Sequence, residues 1–353
     1  MRVNNWAEMP YSVGQMLTDW VRPGLGIDLG TANTVVFHPR RGIVLDEPSV
    51  MVVRDADERA QPIVVGHEAR DMMGRSPAGM SVVRPLQDGV ITDLHAARSF
   101  VVAMMRKVPI QRWEKVRPHA VVGVPAGATT LERQALLEAA SEAGLGRVEL
   151  VPEPIAGALG AGLDPMARRA QMVVDVGGGT SEITAFCFGG VLASRSCRVA
   201  GDEMTAALIN HLRTEHQLLV GEITAEEAKK TLIGSSGKLV VEGRDAASGR
   251  PRRQEITAAE MTEAMRPITD VIVQALSATL AEDLPPQAVA DILTSGVVAF
   301  GGGALLAGFP ARLQEALGFE VRVAERPLTC VAEGAAGCLA HPQLLRGFAG
   351  QAA

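Results

Sequence analysis

The stretch Met172–Phe188, MVVDVGGGTSEITAFCF, decides the fold. Three apolar residues run into Asp175, then come Gly177, Gly178, Gly179 and Thr180, and Ile183–Phe188 resumes a strand-like run. This spacing predicts a β-hairpin closed by a glycine turn. Glycines let a backbone approach a ligand closely, and successive exposed N–H groups form a nest for phosphate. Asp175, at the strand end, is placed to meet a metal held on that phosphate. Taken alone, such a turn is as readily just a turn.

A second copy shifts the balance. Leu25–Phe37, LGIDLGTANTVVF, repeats the plan, with apolar residues into Asp28, then Gly30, Thr31, Ala32 and Asn33, then the strand Val35–Phe37. Two such hairpins predict two related half-domains, each bringing a phosphate turn to a shared cleft. A third turn, Gly301, Gly302 and Gly303, follows the apolar run Val297–Phe300 and precedes a helix expected from about Ala304. A glycine turn at a helix start is a good seat for the polar groups of a nucleoside.

The matching stretches resemble the actin and sugar-kinase ATPase superfamily, and within it the bacterial actin MreB family. They are IDLGTANT (Ile27–Thr34), GIVLDEPSV (Gly42–Val50), VGHEARDMMGRSP (Val65–Pro77), RPLQDGVITD (Arg84–Asp93), VPAGAT (Val124–Thr129), PEPIAGALGAGL (Pro152–Leu163), VVDVGGGTSE (Val173–Glu182), GGGALL (Gly301–Leu306) and ERPLTCVAEGA (Glu325–Ala335). They follow the family's order over most of Gly24–Leu339.

The resemblance implies an α/β actin-like ATPase fold, with two related α/β domains flanking a nucleotide cleft, each with a smaller inserted subdomain. Residues 1–23 would be an arm and 24–151 the first domain, with a small subdomain at roughly 52–80. Residues 152–340 would be the second domain, with one at roughly 203–265, and 341–353 a C-terminal tail. The implied ligands are ATP or ADP with Mg²⁺, which keeps several waters and binds through few carboxylates, here Asp28 and Asp175.

Hydrolysis requires water in line with the terminal phosphate, and a carboxylate can orient or deprotonate it. The resemblance gives that role to Glu153, with Thr180 and Asp175 beside it; otherwise Glu153 merely caps the helix after Pro154. Glu226 and Lys229, three apart on a helical face, read as a surface ion pair. The resemblance places them at the ribose and adenine. After Ile233–Ser235 the family's longer insertion is shortened to SGKLVVEGRDAASGRPRRQ, which leaves adenine stacking open.

The net charge of −6 over 353 residues argues against nucleic-acid binding, which needs a concentrated basic surface. No apolar run reaches the roughly 18–20 residues of a membrane helix, and no signal-peptide pattern opens the chain. The four cysteines lack metal-ligand spacing and read as thiols of a reducing cytosol. In the arm, Val13, Met16, Leu17, Trp20 and Val21 share one helical face. That face either meets a membrane or packs on protein. Ile110 and Trp113 form a second candidate membrane loop, with core burial of Trp113 as the alternative.

A metabolic kinase of the same fold would need a sugar-binding aspartate motif, which is absent. The expectation is therefore a cytoplasmic actin, peripheral at the inner face of the cell membrane. It would assemble with itself into filaments and help set cell shape with membrane proteins of wall synthesis. The alternative is a divergent paralogue that binds nucleotide, hydrolyses or polymerises poorly alone, and acts with a second MreB-type actin.

Overall fold

A computed structural model describes residues 24–349, except 56, 58, 59, 88, 89, 92, 110–117 and 234–236. The arm with Trp20 and the loop with Ile110 and Trp113 lie outside the described residues.

Two five-stranded sheets share one topology. In the first, the order is Arg147–Pro152, His119–Val124, Gly24–Leu29, Asn33–His38 and Gly42–Pro48. In the second, it is Val321–Val323, Val297–Phe300, Gln171–Val176, Ser181–Cys187 and Gly190–Cys197. Each is an antiparallel three-strand meander extended by two parallel strands. The equivalence reaches detail, because the second meander strand of each sheet slips register at one place, between Val36 and Phe37 and between Ala185 and Phe186. The two hairpins are thus one structural repeat used twice.

Strands covered on both faces must be apolar throughout, which is why Met172–Val174 and Ala120–Val122 read as unbroken apolar runs. Helices Leu94–Lys107 and Thr130–Glu142 cover the first sheet, where Phe100, Met104, Ile27 and Val122 form one core. Helices Gly201–His216 and Ala258–Ala278 contribute Met204, Leu208, Ile272 and Leu276 to the core of the second.

The chain crosses between the halves twice. Helix Glu153–Gly160 carries it over, and helix Cys330–Cys338 brings it back onto the first strand. The two helices touch backbone to backbone: a Cβ at Gly334 would overlap the carbonyl of Ala156, and one at Gly160 the carbonyl of Cys330. Ile155, Phe300, Val331 and Phe348 belong to the core around this crossing.

Each half carries a three-stranded satellite sheet. One is built from Met51–Arg54, Val64–Val65 and Met80–Val83, the other from Leu218–Leu219, Lys238–Asp245 and Pro251–Thr257. The shortened segment after Ser235 supplies the hairpin of the second.

Three local expectations differ from the structure. Met204, Leu208, Ile209 and Leu212 predict a helix over Gly201–Gly221, but it ends at His216, because Gln217 adopts the left-handed conformation that stops a helix. The third glycine turn leads into a 3₁₀ turn, Gly302–Leu305, and the α-helix begins only at Phe309, after Gly308 at φ 79°. The C-terminal segment is no loose tail: Pro342–Ala349 is a helix whose Leu344, Leu345 and Phe348 are buried.

Candidate functional site

Both hairpin turns open into one cavity of about 440 Å³ between the halves. They nearly touch, since a Cβ on Gly178 would lie 2.9 Å from the Ala32 methyl and 3.2 Å from its N–H nitrogen. The turns are anchored from behind. Ser49 donates its hydroxyl to the Gly30 carbonyl at 2.6 Å and its N–H to that of Ala32 at 2.9 Å, so the DEPSV stretch braces the first turn. In the second, the Gly177 N–H donates to the Thr180 carbonyl at 2.9 Å. The N–H groups of Gly201 and Asp202, at the start of their helix, bond the Gly177 and Gly178 carbonyls. Carbonyls held this way are not available to a ligand, whereas successive turn N–H groups can form a nest for an anion.

The third turn presses on the second. Gly301 has φ 80°, and a Cβ there would also collide with the Val176 carbonyl. Only glycine satisfies both conditions, which accounts for this residue from conformation and space together.

Beneath the turns lies a cluster of carboxylates. Asp28 and Asp175 occupy the same position of the two repeats, each one strand residue before the turn-side end. Glu153 begins the crossing helix, with Pro154 behind it. Burial, then the charge of Asp46, lifts Asp28 to about 7. Burial and the neighbours Asp28, Glu182 and Asp175 push Glu153 well above the ordinary carboxylate range. Burial, Glu182 and Asp28 do the same to Asp175. Each of these influences raises the pKa, and no lysine or arginine among the described residues offsets the charge of the three groups. Buried carboxylates in this condition either hold protons or take a cation. Oxygen-only donors on a cavity wall suit a hard divalent ion such as Mg²⁺.

Across the cavity, Glu226 and Lys229 form more than a surface pair. Lys229 Nζ meets Glu226 Oε2 at 2.6 Å and donates to the Gly201 carbonyl at 2.6 Å and Thr205 Oγ1 at 2.8 Å. Thr205 Oγ1 in turn donates to Glu226 at 2.7 Å. Burial alone would raise Glu226, yet the Lys229 ammonium and these hydrogen bonds hold it below its ordinary value.

The cavity wall contains Asp28, Gly30, Thr31, Ala32, Asn33, Glu153, Asp175, Gly177, Gly178, Thr180, Glu226, Lys229, Gly301, Gly302 and Gly303. Gly179, expected with them, is buried inside its turn and does not line the cavity. Three contributors escaped the sequence reading. Glu182, paired with Asp175 across the hairpin, accepts the Ala126 N–H at 3.1 Å and so bonds one half to the other. Its motif was visible, but an acid in a strand buried on both faces gives no periodic signal. Asp46 accepts from Asn33 at 2.9 Å. Arg84 reaches over the cleft to Asp202 at 3.1 Å and to Glu222.

Paired meander sheets with glycine turns meeting over buried carboxylates define an actin-like protein. The comparisons make this specific: the MreB/Mbl protein family matches residues 22–346, and the chain belongs to that family. The cell shape-determining protein MreB of Escherichia coli (strain K12) is 41% identical over 319 residues, 88% of this chain and 91% of that relative. The crystal structure of MreB5 of Spiroplasma citri bound to AMPPNP superposes with TM-score 0.81 at 30% identity, over 91% of this chain and 97% of that one. Its ADP-bound form gives 0.83. A MamK double helical filament gives TM-score 0.73 at 25% identity, over 91% and 99% of the two chains.

Proposed function

We propose that this protein is a bacterial-actin ATPase that binds ATP between the two hairpins and polymerises in the ATP state. The observation carrying this reading is the meeting of the two N–H-lined turns directly over Asp28, Asp175 and Glu153. The printed descriptions of the relatives support it: MreB5 is bound to AMPPNP and ADP, MamK forms a double helical filament, and the Escherichia coli relative determines cell shape.

In this reading, N–H groups of Gly30–Asn33 and of Gly178 and Thr180 hold the phosphates. Glu226 and Lys229 meet the ribose and adenine, and Gly301–Gly303 approach the nucleoside. Asp28 and Asp175 would hold Mg²⁺ through its waters, and the ion would neutralise developing phosphate charge. Glu153 orients the attacking water and accepts its proton, a role that suits a buried carboxylate made more basic than usual by burial and by its acidic neighbours. Thr180 places the same water.

Filaments arise when one face of a subunit binds a different face of the next without closure. Nucleotide state would set the angle between the halves and hence that contact. The filaments would lie at the inner face of the membrane and organise proteins of wall synthesis. No helix among the described residues is long and apolar enough to cross a membrane.

Ultracentrifugation of purified protein with ATP–Mg²⁺, ADP–Mg²⁺ or no nucleotide tests the assembly claim. Pelleting confined to ATP supports it. Protein that stays in the supernatant in every state favours the paralogue reading, in which a second actin supplies the filament.

A further inference from the structure

Away from the nucleotide cleft, three metal-ligand side chains from two helices converge. His211 and His216 lie in the last turns of helix Gly201–His216, and Glu260 lies in the first turn of Ala258–Ala278. Both imidazoles bring Nε2 to the same oxygen, Glu260 Oε1, at 3.0 Å and 2.5 Å. The rings stand edge to face, 5.7 Å apart at 65°. All three donor atoms fall within 4.8 Å of one another, and they are the one such group among the described residues.

The histidines are five residues apart, which on a regular helix leaves them on different faces. They meet because Glu260 reaches between them, and both rings are mostly buried, 21% and 18% exposed. Glu260 forms no ion pair with lysine or arginine among the described residues, so its charge faces only the two imidazoles.

The surroundings hold the group in place. Thr257 caps the Glu260 N–H at 3.1 Å, and the His216 carbonyl accepts Arg252 Nη1 at 2.9 Å. A zinc ion with bonds of about 2.0–2.2 Å needs its ligand atoms roughly 3.3 Å apart in a tetrahedron. A small outward shift of the rings would make that room.

We propose that His211, His216 and Glu260 form a site for a borderline divalent transition metal, Zn²⁺ first, with the fourth position open to solvent. Two nitrogens and one carboxylate oxygen match the open zinc set, whereas Mg²⁺ and Ca²⁺ prefer oxygen alone. The site is separate from the proposed nucleotide cleft and does not depend on it. A metal there would tie the C-terminal end of helix Gly201–His216 to helix Ala258–Ala278. The other end of the first helix bonds Lys229 through the Gly201 carbonyl and Thr205, so the ion would stiffen one wall of the cleft at a distance.

The test is titration of metal-free full-length protein with Co²⁺ in excess Mg²⁺, followed by visible absorption and displacement with Zn²⁺. One Zn²⁺-displaceable Co²⁺ per chain is expected, lost in His211→Gln, His216→Gln and Glu260→Gln. In the unmodified protein, Zn²⁺ should also shield His211 and His216, but not His67 or His95, from diethyl pyrocarbonate, as read by peptide mass spectrometry. Absence of a Co²⁺ spectrum, a spectrum that survives in all three variants, or equal modification with and without Zn²⁺ would overturn the proposal.

Discussion

Glu182 bears much of the electrostatic strain of the site. Its side chain is buried and accepts the Ala126 N–H across the domain boundary, while its charge raises both Glu153 and Asp175. Burial lifts Glu182 itself to about 7, against the hydrogen bonds from Ala126 and Ser196. The folded form therefore holds a proton that the unfolded chain releases near its ordinary pKa. Stability from this group is complete at acid pH and falls as pH rises from about 4.5 to about 7. Glu182→Gln keeps an acceptor for Ala126 and removes the charge. In nucleotide-free urea denaturation, the variant should match wild type near pH 4.5 and exceed it by about 2–3 kcal/mol at pH 8. Parallel pH profiles would contradict this. Lys229 presents the opposite case, a cation whose loss leaves partly buried Glu226 with only the Thr205 hydroxyl and the longer, more exposed pair to Lys230 at 3.4 Å. Lys229→Ala should cost about 1–3 kcal/mol in the same assay, more than an exposed pair is worth.

At the scale of elements, the crossing helices depend on small residues. Replacing a helical glycine with alanine ordinarily gains up to about 1 kcal/mol. At Gly337 the new methyl would meet only the end of the Leu159 side chain, at 3.1 Å, so Gly337→Ala should be near neutral by thermal denaturation. At Gly334 it would meet the Ala156 carbonyl, a backbone group that cannot yield. Gly334→Ala should therefore lose about 3 kcal/mol or more, and equal melting temperatures for the two variants would count against this crossing.

The hairpins were legible in sequence because glycine turns and the aspartates before them are local signals. The return helix Cys330–Cys338 could be quoted as a motif, but its passage back to the first half depends on contacts such as Ala332 with Gly26 of the first strand, about 300 positions away, which no periodicity reports. The end of the helix at His216 is not legible in the sequence, because Gln217 rather than the glycine at 221 takes the left-handed conformation. Side-chain convergence between elements, as at Glu260 with its two histidines, leaves no trace in spacing at all.

For the whole molecule, the two halves are joined at the crossing helices and clasped again over the cleft. Arg84 bonds Asp202 and Glu222, and Arg70 lies 3.8 Å from Glu227. Such half-exposed pairs contribute only about 0–1 kcal/mol each to folding, but they bear directly on opening. Arg84→Ala should leave the melting temperature almost unchanged while speeding release of a fluorescent nucleotide several-fold in stopped flow. An unchanged release rate would show that the clasp does not gate the cleft.

The proposed ATPase activity depends on Glu153 acting on water in a nucleotide site shared by both halves. The most direct measurement is phosphate release from ATP–Mg²⁺ by wild type and Glu153→Ala, at concentrations where equilibrium binding shows equal nucleotide occupancy. Steady release by wild type, near-complete loss in the variant, and ATP-dependent pelleting by both are expected. Release by Glu153→Ala at the wild-type rate would contradict this role of Glu153, because the turns would then bind nucleotide with the chemistry carried by another group.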